Sequence, residues 1–168
     1  GAQFAAADLR FADLSLSNFD GAIFDDAVMS MANLTRATFR GASMARATIA
    51  RTVLDRTAFD GALLSEARLY QARGRDTSFK DAILVGAEAV ESQFTSSNQK
   101  VGENKVAATS FEGAWVQDFI HKGAIGEELL ANARGLEHLG GSRRGFVDPL
   151  GVQVRELGQP TLQVGSLG

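Results

Sequence analysis

The sequence predicts a solenoid, and two regularities of spacing indicate it. From Ala2 the chain divides into nineteen consecutive units of five residues, in which the first residue is Ala, Ser or Thr and the third is large and apolar in all but two units. A period of five matches neither a helix nor a flat strand. One large and one small inward residue in every five mean that the chain turns a corner in every unit. Only a stacked solenoid buries a residue of each unit in that way.

Several units also follow a recognisable motif. ADLRF (7–11), ADLSL (12–16) and ANLTR (32–36) resemble the repeat of the pentapeptide-repeat family, whose pattern is approximately A(D/N)LXX. The resemblance covers 2–96 and resumes near Thr109. It implies an all-β fold, a right-handed quadrilateral β-helix in which four pentapeptides complete each coil.

The length of the coil is also visible in this chain alone. Phenylalanine recurs every 20 residues at the third position of the unit, at Phe19, Phe39, Phe59 and Phe79. Glycine ends the first three of those units, at Gly21, Gly41 and Gly61. We therefore expect one ladder of phenylalanine rings and one corner at which glycine adopts a positive φ cheaply.

Two units lack a large third residue. Gly74 and Ala89 stand where the pattern places a large apolar side chain, and Gly74 lies 20 residues before Phe94. Either the ring of Phe94 fills the gap above Gly74, or the solenoid bends locally at that point.

The repeat is interrupted at about 96–108, where the sequence is polar. TSFEG and AWVQD then read as two further units, centred on Phe111 and Val116. Because Phe79 and Phe111 are farther apart than one coil, a loop of about 12 residues leaves the solenoid before the ladder resumes. Such a loop is either a tolerated surface insertion or a functional excursion from a rigid scaffold.

Three segments complete the predicted organisation. Residues 1–125 form the solenoid, and 126–136, which contain GEELLANAR, form a short α-helix that caps its open end. Residues 137–168 are rich in Gly, hold both prolines and read as an extended tail, which wraps the solenoid or lies on a partner. The start within a repeat at Gly1 predicts a processed product or a piece of a longer chain.

Composition excludes several functional classes. The chain has no Cys and two His, which leaves little for a metal site, and its net charge of −3 opposes a nucleic-acid binder held by phosphate contacts. No apolar run is long enough to span a membrane. A column filled with side chains has no room for a substrate pocket, and we find no catalytic residues and no cofactor loop. We expect a protein that is not an enzyme and uses no cofactor.

Partner binding must then use outward residues. Ile23, Leu63 and Ile83 recur in one column, and Phe11, Met31 and Leu16 are expected close together on adjoining faces near the N-terminal end. An exposed apolar patch of this kind indicates docking, unless it serves self-association or is covered by preceding residues.

Arginines cluster in the middle coils, and Arg51 and Arg56 are candidates for binding an acidic partner unless they are simply solvated. Asp26, Arg46 and Glu66 should form a column of alternating charge.

Two functions remain. The first is a scaffold without catalysis, an accessory or structural subunit that binds other protein subunits of a larger assembly. The resemblance implies a chloroplast thylakoid protein with a role in photosynthesis, and a homodimer is compatible with this function. The alternative, also implied by the resemblance, is a regulator of a type II topoisomerase that mimics DNA. That role requires a strongly acidic surface, so it ranks second.

Overall fold

The computed structural model describes residues 1–97, 99–100, 106–107 and 109–116. The helix predicted at 126–136 and the tail at 137–168 lie outside these residues. The described part is built from strands, bridges and turns, and no α-helix occurs in it. No helix of this part has the length and apolar character needed to cross a membrane.

Parallel bridges join each unit to the fourth unit after it. The second residue of every unit makes the bridge, as in Gln3 with Ile23 and Asp8 with Val28. Four units therefore complete one coil, and successive coils stack as a β-helix. Most bridges involve a single residue, because the chain turns again before a longer strand can form.

The hydrogen bonds of the backbone explain the motif. The third residue donates its N–H to the next coil (Phe24 N to Ser43 O, 2.6 Å), and the second residue donates to the previous coil (Ile23 N to Ala2 O, 2.9 Å). Where the second position is Asp or Asn, its side chain binds the N–H of the fourth residue, as when Asn18 Oδ1 accepts from Asp20 N at 2.9 Å. The preference for Asp or Asn therefore satisfies a donor that the ladder leaves unpaired.

The fifth residue of each unit forms the corner, and its φ is positive from Ala6 to Glu91. The predicted glycine corner is confirmed at Gly21, where φ is 66°. However, Met31 and Arg36 adopt 61° and 60° at other corners, so glycine is not a requirement of the turn. The N–H of a corner residue donates to the next coil (Arg36 N to Asp55 O, 2.8 Å), which offsets part of the cost of about 1–2 kcal/mol for a left-handed conformation.

The interior is a continuous column of apolar side chains. The predicted phenylalanine ladder is confirmed, because Phe19, Phe39, Phe59, Phe79 and Phe111 stack with ring centroids 4.7 to 5.3 Å apart. The last step crosses the interruption and keeps the stacked geometry.

Four short strands lie around the interruption: β1 (Arg73–Arg75), β2 (Gln93–Thr95), β3 (Gln99–Lys100) and β4 (Val106–Ala107). β1 pairs with β2 in parallel as part of the coil, whereas β3 and β4 pair antiparallel inside the excursion. The coil resumes with bridges of Ser78 to Ser110 and Ile83 to Trp115, and each bridge joins positions separated by one coil plus the excursion.

The gap at Gly74 is filled by the ring of Phe94. A Cβ at position 74 would lie 3.2 Å from Phe94 Cδ1 and 3.3 Å from Leu54 Cβ, and would collide with Thr77 Oγ1. Phe94 is buried and packs edge-to-face on Phe79, at 5.4 Å between centroids. The filled-gap alternative is therefore confirmed, and β1 continues in register with β2 above it.

Candidate interaction surfaces

One column of bridging residues carries the predicted apolar side chains. It consists of Gln3, Ile23, Ser43, Leu63, Ile83 and Trp115. Leu63, Ile83 and Trp115 occupy its last three coils and are 43%, 38% and 40% exposed. Ile23 is half-buried and is separated from them by Ser43, whose hydroxyl donates to Asp25 at 2.6 Å. We call Ile23, Leu63, Ile83 and Trp115 the apolar stripe.

Sequence reasoning missed Trp115. Trp115 and Ile83 are separated in sequence by one coil plus the excursion, which is also the separation of Phe111 and Phe79 in the phenylalanine ladder. That offset was available from the spacing of Phe79 and Phe111, so applying it to Ile83 would have found the tryptophan. Trp115 makes the stripe continuous over three coils, and its ring contributes the largest apolar surface among them.

The other predicted apolar residues do not adjoin the stripe. Phe11 and Leu16 are the corner residues on either side of Asp13, whose bridging position is two units, or half a coil, from both Gln3 and Ile23 in the stripe's column. Met31 stands one coil above Phe11. Phe11, Met31 and Leu16 stand at neighbouring corners, and these corners bound the side of the coil that is farthest along the chain from the stripe, so they form a separate surface.

Arg51 and Arg56 lie on that same remote side. Arg51 stacks in the column of Phe11 and Met31 and donates through Nε to Gln71 at 2.9 Å. Arg56 stands in the next corner column, two coils from Leu16. The eight predicted residues therefore divide into two surfaces, with Ile23, Leu63 and Ile83 on one and the other five on the second.

A shallow groove of about 390 Å³ runs along the second surface. We call it the arginine groove. Its main lining residues are Leu16, Thr35, Arg36, Asp55, Arg56 and Arg75. Leu16, Arg36 and Arg56 come from successive coils of one corner column. The groove therefore passes from an apolar end at Leu16 to a row of guanidinium groups.

Two carboxylates partly compensate the arginines. Arg75 binds Asp55 through Nη2 at 3.2 Å and through its backbone N at 2.9 Å. Arg56 Nε lies 3.8 Å from Asp76 Oδ2. Arg36 and the neighbouring Arg73 have no ion pair within the described ranges, and both are exposed.

Asp76 joins the groove to the excursion. Its side chain is only 3% exposed, and it accepts from Ser97 N and Ser97 Oγ, both at 2.7 Å. Where the chain returns, Thr109 N donates to Ser96 Oγ at 3.0 Å and Thr109 Oγ1 donates to Thr95 O at 2.6 Å. The two ends of the excursion are thus held together at the C-terminal end of the groove.

The charge column next to the stripe is different in character. Arg46 binds Asp26 of the previous coil with two hydrogen bonds, at 2.8 and 2.7 Å, and these lower the pKa of the Asp26 carboxyl. Both side chains are about half exposed, so the pair contributes little to stability. In the described residues, no three metal-ligating side chains come together as a candidate metal site.

Comparisons with known proteins agree with this architecture. Residues 2–41 match the family model of pentapeptide repeats with eight copies. A crystal structure of a pentapeptide repeat protein from the cyanobacterium Cyanothece 51142 aligns with a TM-score of 0.53 and 19% identity over 61% of this chain. The alignment spans 63% of that protein's length. No curated protein sequence matches the chain.

Two further solved structures align with lower scores. A pentapeptide repeat protein from the Arabidopsis thaliana thylakoid lumen has 23% identity and a TM-score of 0.31, over 66% of this chain and 69% of its own. The other is HetL, a pentapeptide repeat protein involved in heterocyst differentiation regulation from the cyanobacterium Nostoc sp. strain PCC 7120. It has 20% identity and a TM-score of 0.29, and the alignment covers 91% of this chain and 85% of HetL. The fold is that of a β-helical solenoid built from five-residue units. Residues 2–41 of this chain carry pentapeptide repeats.

Proposed function

We propose that this protein is a non-catalytic scaffold for protein–protein interaction, an accessory or structural subunit that docks into a larger assembly through the apolar stripe. The observation that carries the proposal is the continuous exposure of Leu63, Ile83 and Trp115 on three successive coils. Isolated apolar residues are common on protein surfaces, whereas an aligned apolar row is typical of a docking site.

The rigidity of the solenoid supports this role. At a spacing of about 4.8 Å between coils, the three side chains span about 10 Å along the rod. The backbone N–H and C=O of each are bonded to the previous coil, as when Leu63 N donates to Ala42 O at 2.9 Å and Leu63 O accepts from Met44 N at 2.8 Å. The row therefore loses little backbone entropy when a partner covers it.

The finer features belong to the same proposal. We propose that the β-helix is right-handed and quadrilateral, as the resemblance of the repeats implies. The assembly is photosynthetic and lies in the chloroplast thylakoid, a placement that rests on the resemblance of the repeats. The partners are other protein subunits, with a homodimer as the simplest form of assembly.

A DNA-mimicking regulator of a type II topoisomerase is the alternative. Such a mimic needs a continuous acidic surface along the rod, as DNA presents one phosphate charge per about 1.7 Å of its axis. The arginine groove interrupts any such surface with Arg36, Arg56 and Arg75. The scaffold is therefore the better supported function.

The test compares two variants with the same chemical change. Leu63→Asp puts a charge into the apolar stripe, and Val53→Asp puts one at a bridging position of almost equal exposure, 41%, on the groove side. The wild-type protein and each variant are purified from the native source with a tag, and the complexes are sized and quantified by mass spectrometry.

We expect the Leu63→Asp variant to lose a stoichiometric partner that the wild type and Val53→Asp both retain. A photo-cross-linking residue at position 83 should form adducts with that same partner. If all three proteins recover the same partners in equal amounts, the apolar stripe is not the docking surface. Light scattering of the purified wild type separates a homodimer from a complex with other subunits.

A further inference from the structure

We propose that the arginine groove is a second binding site, which takes an extended acidic segment of a partner protein with an apolar residue at one end. The site is independent of the apolar stripe, because the two lie half a coil apart. Its occupant is defined by three features of the groove: its charge, its direction and its apolar end.

The first feature is an excess of positive charge that the fold does not use. Arg36, Arg56, Arg73 and Arg75 lie in or beside the groove, against the carboxylates of Asp55 and Asp76. Asp55 is engaged by Arg75, and Asp76 is engaged by Arg56 and Ser97. No carboxylate of the described chain pairs with Arg36 or Arg73, which leaves two guanidinium groups for a ligand.

The second feature is the direction of the row. Arg36, Arg56 and Arg75 come from three successive coils, so the charges follow the axis of the rod at intervals of about 4.8 Å. An extended peptide advances about 3.3 Å per residue, so about four residues cover the distance from Arg36 to Arg75. A guanidinium fork binds a carboxylate through two parallel hydrogen bonds.

The third feature is the apolar end. Leu16 lies at the corner one coil before Arg36 and is 73% exposed. Phe11 and Met31, also exposed, stand at the next corner column on the same side. A ligand with apolar side chains at one end and carboxylates along the rest would therefore cover both the apolar corners and the row of arginines. The attraction between its carboxylates and the arginines would fix its orientation.

The groove favours a peptide over nucleic acid. Asp55 lies in the lining between Arg36 and Arg75, and it would repel a polyanion of high charge density. The net charge of the chain is −3, which also opposes non-specific attraction to phosphate backbones. Carboxylates spaced along a peptide, by contrast, can contact the guanidinium groups and avoid Asp55.

The experiment measures binding of a fluorescein-labelled peptide of two leucines followed by six glutamates, by fluorescence anisotropy with the full chain. We expect saturable binding at low salt. Arg36→Glu should weaken it about tenfold or more, because it removes an unpaired guanidinium and adds repulsion. Leu16→Ser should weaken the same peptide but leave a peptide of six glutamates alone unaffected.

Arg68→Glu is the matched control, since Arg68 is exposed, lacks an ion pair in the described chain and lies outside the groove. It should change the affinity less than twofold. Arg36→Glu and Arg68→Glu keep the backbone of their units, and circular dichroism of each variant verifies the fold. Equal losses in both variants, or no saturable binding by the wild type, would overturn the proposal.

A single-stranded oligonucleotide of eight nucleotides is the competing probe. The proposal requires that it bind more weakly than the peptide at the same salt concentration. Tighter binding of the oligonucleotide would mean that the groove recognises phosphate, and would refute the acidic-peptide assignment. Because none of these measurements involves Leu63, their failure leaves the proposed function of the apolar stripe unaffected.

Discussion

The side of the solenoid beneath the apolar stripe and the side beneath the arginine groove are built from the same five-residue unit. On the stripe side the interior is regular, with buried Phe24, Met44, Leu64 and Leu84 in successive coils. On the groove side the row of leucines ends at Leu54, and Gly74 follows with Phe94 above it. The same backbone ladder therefore tolerates a missing side chain, provided that the next coil supplies the volume.

The outward residues differ even more. The stripe presents Leu63, Ile83 and Trp115, whereas the equivalent positions half a coil away include Val53 and Arg73. The ladder uses only backbone groups at these positions, so their side chains are free to vary without a change of fold. The outward surface of this protein is thus a set of columns of side chains, and the backbone only sets their spacing.

The largest expected effect contrasts the two interiors. Phe94→Ala should lower the free energy of unfolding by about 3–5 kcal/mol, at the upper end of this range because Gly74 offers no side chain to fill the cavity. Leu64→Ala on the stripe side should cost less, within about 2–5 kcal/mol, since its neighbours Met44 and Leu84 are large. Urea denaturation followed by circular dichroism measures both, and a greater loss for Leu64→Ala would contradict the role of Phe94.

A smaller effect is expected from filling the gap. Gly74→Ala should destabilise the protein by about 1–3 kcal/mol, because the new Cβ collides with Thr77 Oγ1 and presses on Phe94. In a Thr77→Ala background the same change should cost less, which a double-mutant cycle measures. If the Thr77→Ala background leaves the cost of Gly74→Ala unchanged, crowding at position 74 does not determine the result.

The smallest effect concerns two aspartates. Asp76→Ala removes the carboxylate that accepts from the N–H and the hydroxyl of Ser97, and amide exchange at Ser97 and Thr109 should accelerate about tenfold as the ends of the excursion separate. Asp26→Ala, near the stripe, removes an exposed partner of Arg46 and should leave these rates unchanged. Hydrogen exchange by mass spectrometry reports both, and unaltered exchange in Asp76→Ala would show that the excursion is closed by other contacts.

Most of the repeat could be predicted from the sequence because the periodicity is strict. The phenylalanine ladder and the length of the coil follow from spacing alone, whereas spacing left open whether Phe94 fills the gap at Gly74 or the solenoid bends there. The eight predicted binding residues divide into two surfaces, since positions two units apart lie half a coil from each other. Trp115 was missed because the excursion separates it in sequence from Ile83, its neighbour in the previous coil.

The sequence by itself determined which residues are inward, because burial of one large and one small side chain per unit repeats with the period of the chain. Only the tertiary structure decided which outward residues meet. Stacking brings together residues that are a coil or more apart, as in the pairs of Arg56 with Asp76 and Ile83 with Trp115. The hydroxyls and carboxylate that close the excursion at Asp76 and Ser97 have no periodic signal, because they satisfy local hydrogen bonds where the ladder is interrupted.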